Sequence, residues 1–244
     1  MVKNMIIKMD LHTHTNFSDG RNSARDNIRS AEAYGLEVLG ITDHVHKKED
    51  LTWLDELRKI IKESESAVRV LAGAEVRTKK DGALPLDSST LSKLDIVIGE
   101  IYIPMEKSPS GTLRDFLEMI QESLKRLVEN RHVDIIAHPL NLGRTPWIRD
   151  FRKLSKDFLD DIASAFADGK AAVEVMNQMF WWYPDMKVAD FTDAYSEFIR
   201  LCLKKGCRFS VGSDAHSAGA VGNLAWSIRV LEKAGVTKED LIEI

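Results

Sequence analysis

The sequence predicts an α/β fold with parallel strands. Short β-rich runs alternate with amphipathic helical stretches along the whole chain, and such alternation implies right-handed crossovers between parallel neighbours. Seven strand candidates occur, which suits either a closed barrel or an open doubly wound sheet. No glycine-rich phosphate loop follows the first of them, and this disfavours the dinucleotide-binding form of the open sheet. With 244 residues and no linker, repeat or low-complexity tract, residues 1–244 are expected to form a single domain.

The first strand candidate, Met5–Leu11, is an apolar run that ends in the polar stretch DLHTHTNFSDG. A helix is predicted over Ser23–Tyr34, a strand over Val38–Thr42, a helix over Leu51–Ser64 and a third strand over Val68–Val76. Arg77–Lys93 contains KKDGALPLDSST and has the turn chemistry of a loop or hairpin, not of a long helix. Ile96–Ile103 is the fourth strand, and PMEKSPSGT after it is an irregular loop. The helix predicted over Leu113–Glu129 carries Leu113, Phe116, Leu117, Ile120, Leu124, Leu127 and Val128 at helical spacing. Strands at Val133–Ala137, Ala172–Met176 and Arg208–Ser213 then alternate with helices at Lys156–Ala167, Asp190–Lys205 and Leu224–Ala234. Gly35, Gly169, Gly206 and Gly235 stand just past helix ends, where a left-handed cap is easily reached by glycine.

Composition narrows the classes of function. The chain is 44% hydrophobic and 30% charged, ordinary for a globular protein. A net charge of −4 disfavours long nucleic acid and membrane surfaces as general partners. Cys202 and Cys207 match no zinc or redox spacing and are too few for a disulfide scaffold, so reduced thiols in a cytoplasmic protein are expected. The short apolar run at the N-terminus is neither signal peptide nor anchor. No segment approaches the ~20 apolar residues that span a bilayer.

Polar residues with metal chemistry gather at the strand ends. His12 and His14 end the first strand, two residues apart and hence on one face. His44 in ITDH ends the second, Glu75 in AGAEV the third, His138 in IIAHP the fifth, and Asp214 and His216 in VGSDAH the seventh. In parallel α/β folds this edge is where active sites assemble. Imidazoles mixed with carboxylates suit zinc, manganese or iron, and their number exceeds the needs of one tetrahedral ion. Two to three divalent ions are therefore expected. Blander roles exist for individual residues: a polar strand end for His12 and His14, a turn for Asp19 before Gly20. Asp43 either orients an imidazole or bonds the backbone. His46 is expected in a loop near substrate and His132 at a solvated helix end.

The motifs DLHTHTNFSDG, GITDH, GAE, IIAHP and GSDAH resemble, in family order, those of the PHP (polymerase and histidinol phosphatase) family of metal-dependent phosphoesterases. The resemblance implies a distorted seven-stranded (β/α)7 TIM-like barrel with up to three clustered metals. By motif, the first ion takes His12, His14, Glu75 and Asp214, and Glu75 bridges to a second that also uses His138. The third takes Asp19, His44 and His216. Glu75, Asp214 and His216 carry the catalytic assignment. In one place the chain departs from the family, whose fourth strand often ends like GSVH with a histidine ligand. Here the stretch is GEIY, which puts Tyr102 at the ligand position and leaves Glu100, on the same strand face, as a conceivable substitute.

Arg77, Arg144 and Asn177 are the substrate-binding candidates; the two arginines suit bidentate phosphate contacts. Phe180, Trp181, Trp182 and Tyr183 form either a pocket wall for a flat group or a packing cluster. The expected reaction is hydrolysis of a small phosphomonoester by attack of metal-bound hydroxide. Two alternatives stand beside it: an amidohydrolase-like barrel hydrolase, which can also begin with HxH, and a PHP-like metal-binding module without turnover.

Overall fold

The computed structural model describes residues 5–104 and 111–244. The seven predicted strands resolve into nine short ones, all paired in parallel. In chain order the elements are β1 (Met9–Asp10), α1 (Ala24–Tyr34), β2 (Val38–Ile41), β3 (His44–Val45), α2 (Leu54–Ser64), β4 (Arg69–Ala72) and β5 (Ala74–Arg77). They continue as α3 (Ser88–Leu91), β6 (Val97–Glu100), α4 (Leu113–Glu129), β7 (Ile135–Ile136), α5 (Lys156–Asp168) and β8 (Ala172–Met176). The last are α6 (Val188–Lys204), β9 (Phe209–Gly212) and α7 (Ala225–Ala234).

Two sheets result, ordered β1-β2-β4 and β3-β5-β6-β7-β8-β9. The predicted second and third strands are each interrupted, at Thr42–Asp43 and at Gly73. There the Glu75 amide is shared between the Thr42 and Asp43 carbonyls, so the pair bends together. The register survives the bend, since Ile41 pairs with Ala72 and His44 with Glu75. Along the other edge, the chain after β1 bonds to the end of β9. The Leu11 amide donates to Val211 O (3.1 Å), the Asp214 amide to His12 O (2.9 Å) and the His14 amide to Ala215 O (2.9 Å). The first HxH and the last DxH thus lie side by side.

The strands are apolar on both faces, as parallel strands covered by helices must be. One face of Leu11, Leu71, Ile96, Ile98, Ile135, Ala137 and Ala172 forms a small inner layer. The intervening residues, such as Val97 and Ile136, pack outward against the helices in the main core. Period-two alternation then fixes what stands above the inner layer: Glu75 follows Leu71 on its face, Glu100 follows Ile98, and Glu174 follows Ala172. Glu75 and Glu100 are thereby aimed at one mouth, with Glu174 beside it behind His12.

Local signals hold with a few corrections. Ser23 caps α1 and exchanges bonds with Asp26 in a capping box. The 77–93 segment contains one helical turn, α3, whose Thr90 amide donates to the Asp87 side chain (2.8 Å). The first strand shrinks to Met9–Asp10, because its ladder with β2 begins only at Met9–Val38. Gly169 is not a left-handed cap: its φ of −91° is extended. Its lack of a side chain matters for packing instead, since a Cβ there would lie 2.0 Å from Val128 Cγ1. Cys202 and Cys207 are both free and buried. Most of the predicted PMEKSPSGT loop, residues 105–110, lies outside the described residues. Among the described residues no helix is long and apolar enough to cross a membrane.

Ile98 supports the floor of the mouth and is fully buried. Ile98→Ala is expected to cost about 2–5 kcal/mol of folding stability through the cavity it leaves. Urea denaturation measures this, and a midpoint shift of under ~1 kcal/mol equivalent would show that the inner layer collapses around the gap.

Candidate metal centre

Glu75 is the hub of the mouth. It is 1% exposed and four imidazoles surround its carboxylate. His44 Nδ1 lies 2.7 Å from Oε2, His138 Nε2 3.0 Å from Oε1, His12 Nε2 3.4 Å and His14 Nε2 3.7 Å from Oε2. Asp214 Oδ1 closes one side, 3.1 Å from His14 Nε2 and 3.7 Å from His12 Nε2. On the outer side Asp19 joins His216 (3.2 Å) and His44 (3.5 Å). The His14 ring is packed between those of His44 and His216, with centroids 4.3 Å away on each side. All eight residues expected as ligands are brought to this one place. Four donor groups occur among the described residues: His12–His14–Asp214, His12–Glu75–His138 and His14–Asp19–His44–His216, drawn from these eight, and His44–His46–Glu100 at their edge.

The backbone is bent to present two of them. His138 (φ 23°) and Asp214 (φ 53°) both occupy the left-handed region, which costs a non-glycine residue of order 1–3 kcal/mol and persists only when the surroundings enforce it. Glu174 supplies part of that enforcement: its Oε2 accepts from the His138 amide (2.7 Å). Its Oε1 contacts His12 Nδ1 at 2.8 Å, which leaves Nε2 turned to the mouth. A carboxylate behind a ligating histidine fixes its tautomer and orientation in this way. Gly212 makes room, since a Cβ there would lie 2.4 Å from both Glu174 Oε1 and His12 Cβ. Asp10 similarly locks the Asp214 side. It is fully buried and accepts from the Ser213 amide (2.9 Å) and the Gly222 amide (2.8 Å). Sequence reasoning missed both roles, although Glu174 carried a usable signal in its place two residues after the inner-layer Ala172. Asp43 holds the Asp19 loop, and among the described residues its carboxylate hydrogen-bonds no imidazole. It accepts from the Thr15 amide and hydroxyl (both 2.7 Å) and from Ser18 Oγ (2.6 Å).

The chemistry of the donor set fits divalent ions. His12 Nε2, both nitrogens of His14, His44 Nδ1 and Glu75 Oε2 are buried without a hydrogen-bond partner; even the 2.7 Å His44–Glu75 approach is not aligned as a hydrogen bond. Orphaned buried donors and acceptors are costly, and convergent lone pairs are what an ion needs. Electrostatics agrees. Burial pushes the His12 imidazole down, yet Glu174, Glu75 and Asp214 outweigh it and hold it well above the ordinary histidine range. Burial also lowers His138, but Glu75 carries it up to about 9. Burial raises Glu75 and Asp214, and the facing imidazoles pull both below the ordinary carboxylate range. The acidic surroundings thus favour the charged forms of His12 and His138, whereas burial pushes His14 below the ordinary histidine range.

The remaining candidates divide. Arg77 is paired with Glu100 at the rim, Nε to Oε2 at 2.5 Å. Arg144 lies with its guanidinium 5.2 Å from the Trp182 ring centroid and lines a cavity of about 440 Å³ with Arg21, Trp181, Asp214 and His216. The aromatic cluster is split. Trp181 and Trp182 line that cavity, whereas Tyr183 is buried and donates to Leu140 O (2.5 Å) and Phe180 packs on Trp226. The Asn177 side-chain oxygen accepts from the Trp226 amide (2.9 Å) and so caps the start of α7. His46 lies next to His44 and Glu100. His132 stands at the surface beside Ser92 and Arg131.

The profile of the PHP domain family matches residues 10–178, a span that contains every donor above except Asp214 and His216. The chain belongs to the PHP domain family. A probable phosphatase of Thermoanaerobacter sp. (strain X514) is 30% identical to this PHP chain over 248 residues, covering 98% of it and 90% of the relative. A probable phosphatase of Clostridium novyi (strain NT) is 27% identical over 238 residues, covering 96% and 89%. Among solved PHP-like folds, the histidinol phosphate phosphatase of Lactococcus lactis subsp. lactis, determined with zinc, L-histidinol and phosphate, superimposes with a TM-score of 0.69. It shares 18% identity, and the match covers 97% of this chain and 99% of that one. At that identity the likeness establishes the fold.

Two outcomes are expected of this geometry. Glu174→Gln loosens His12 without removing a donor from the mouth and should weaken metal affinity about 10–100-fold, read by chelator competition; unchanged affinity would contradict the orienting role. Protons on His12 and His138 must leave before either ring can ligate, so metal affinity should rise between pH 6.5 and about 9. In the metal-free protein the sign is opposite. The raised His138 stabilises the fold fully below pH 6.5, and that contribution is lost as the pH rises through about 9. Thermal melts with and without metal across this window separate the two.

Proposed function

We propose that this PHP protein is a metal-dependent phosphoesterase that hydrolyses a small phosphomonoester. The convergence of five imidazoles, Glu75, Asp214 and Asp19 on one mouth carries the proposal, and the probable phosphatases among its relatives support it. In this assignment His12, His14, Glu75 and Asp214 hold one ion, Glu75 and His138 a second, and Asp19, His44 and His216 a third. Two to three ions of zinc, manganese or iron suit these donors; zinc in the L. lactis structure supports the same class. The fold belongs to the proposal too: the two sheets, joined through bent β2–β3 and β4–β5 and through the β1–β9 bonds, read as one distorted (β/α)7 barrel acting as a single unit over residues 1–244.

When bound, the ions supply Lewis acidity and lower the pKa of a coordinated water from 15.7 towards about 7. The chain does the rest. Glu75, shared among four imidazoles, holds the donor groups at fixed separation. Asp214 has a side chain 20% exposed, against 1% for Glu75, and it lines the cavity. It is therefore the carboxylate placed to take a proton from the attacking water, at Oδ2, since Oδ1 is the oxygen turned to His12 and His14. His216 also faces the cavity; its Nδ1 lies 3.0 Å from the Asp214 carbonyl oxygen, which orients the ring and leaves Nε2 for the third ion, and the proton taken by Asp214 passes on to the departing alkoxide. Arg77 and Arg144 flank the mouth as phosphate donors. The cavity of about 440 Å³ between Arg144, Trp181 and Trp182 suits a small substrate body, and the L-histidinol and phosphate of the L. lactis structure are of that size class. The net charge of −4 disfavours long nucleic acid. Two free thiols, Cys202 and Cys207, support a cytoplasmic setting.

Hydrolysis of 4-nitrophenyl phosphate with added Mn²⁺ or Zn²⁺ is the test, followed by a screen of phosphorylated metabolites. Activity is expected to vanish with a chelator and return on remetallation. His14→Ala and Asp214→Ala should each lose most bound metal, with rate losses beyond the ~10–100-fold typical of outer-sphere changes. Hydrolysis of amides without phosphoesters would overturn the proposal, and full metal occupancy in either variant would overturn the first-ion assignment.

A further inference from the structure

The departure at GEIY has a structural counterpart. Tyr102, at the position where the family often carries a histidine, is engaged elsewhere: its amide donates to Thr78 Oγ1 (2.8 Å) and its ring lies 5.7 Å from Lys80 Nζ. Glu100, two residues earlier, reaches the mouth instead. Its side chain is 9% exposed, and it lies within donor distance of His44 and His46. A carboxylate so placed either binds an ion or serves another side chain.

Arg77 favours the second role. The parallel register sets Arg77 directly against Glu100 on neighbouring strands, and Arg77 shares its strand face with Glu75. Its Nε lies 2.5 Å from Glu100 Oε2 and its Nη2 3.3 Å from Oε1, so one edge of the guanidinium engages both carboxylate oxygens. Such two-point pairing is strong and fixes the plane of the fork. Both Glu100 oxygens are thereby engaged by a side-chain cation, which competes with any ion at His44 and His46 for the same carboxylate. The other edge stays open: Nη1 makes no hydrogen bond among the described residues, and the Arg77 side chain is 38% exposed. A flexible arm has become a fixed cation beside the donor cluster, with a free face matched to tetrahedral oxyanions.

We propose that Glu100 is a positioning residue, not a metal ligand, and that it clamps Arg77 so that the open edge of the guanidinium binds the phosphoryl group of the substrate. This rests on the phosphoesterase assignment above and specifies how its substrate is held.

The test combines metal content with phosphate binding in Glu100→Gln, Arg77→Met and the double variant, all as metal-loaded full-length protein. Elemental analysis should give wild-type metal content in all three. Orthophosphate affinity, by calorimetry, should fall about tenfold or more in Arg77→Met, as expected for losing a charge-assisted contact. KM should rise in parallel while kcat changes much less. Glu100→Gln should shift both in the same direction by a smaller factor. The double variant should match Arg77→Met alone, because a clamp has nothing to hold once its arginine is gone. Loss of about one ion per chain in Glu100→Gln but not in Arg77→Met would make Glu100 a ligand and overturn the proposal. Unchanged orthophosphate affinity in Arg77→Met, or effects that simply add, would reduce the pair to a structural ion pair. Arg77 is part-exposed, so its variant carries the test even where Glu100→Gln fails to fold. Calorimetry needs no turnover: orthophosphate binding that depends on Arg77, in a protein inert towards phosphoesters, would sink the phosphoesterase assignment and leave the clamp standing.

Discussion

A carboxylate taken out of water must be compensated where it stands, or it costs several kcal/mol. Glu75 is compensated by four imidazoles that approach both of its oxygens. Nearly every other feature of the mouth follows from keeping those rings in place. His12 is held from behind by Glu174, His44 is paired in register with Glu75 itself, and His14 is wedged between His44 and His216. The arrangement is a network of opposite charges with too few hydrogen bonds to satisfy it, which is the condition that divalent ions relieve.

Rigidity reaches the mouth from below. The inner layer of Leu11, Leu71, Ile96, Ile98, Ile135, Ala137 and Ala172 is small, apolar and buried, and the polar residues stand directly on it. Packed interiors resist continuous deformation, so the strand ends cannot drift relative to one another. That stiffness lets His138 and Asp214 keep left-handed backbone conformations that an isolated loop would relax. The loops beyond are held by single side chains: Asp43 pins the Asp19 turn, and Asp10 ties the end of β1 to the residues after β9.

The alternation of strands and helices was readable from local pattern, since hydrophobic period and capping residues act over a few positions. Where local rules failed, a distant contact had taken over. Gly169 looked like a helix cap, but Val128 on another helix is what requires the missing Cβ. Distant contacts also recruit Asn177, whose oxygen accepts from the amides of Trp226 and Ser227. The run from Phe180 to Tyr183 was split by packing that alternates between cavity and core.

The donor types and their order along the chain were therefore already present in the primary structure, because a residue at the end of a parallel strand has one direction to point. HxH, TDH, GAE, AHP and SDAH announce themselves without any knowledge of their partners. Folding alone assigned the supporting carboxylates. Glu174 meets His12 from 162 residues away, and Glu100 meets Arg77 across a strand pair. No local rule specifies such encounters: the part a carboxylate plays depends on which charge the sheet register sets beside it.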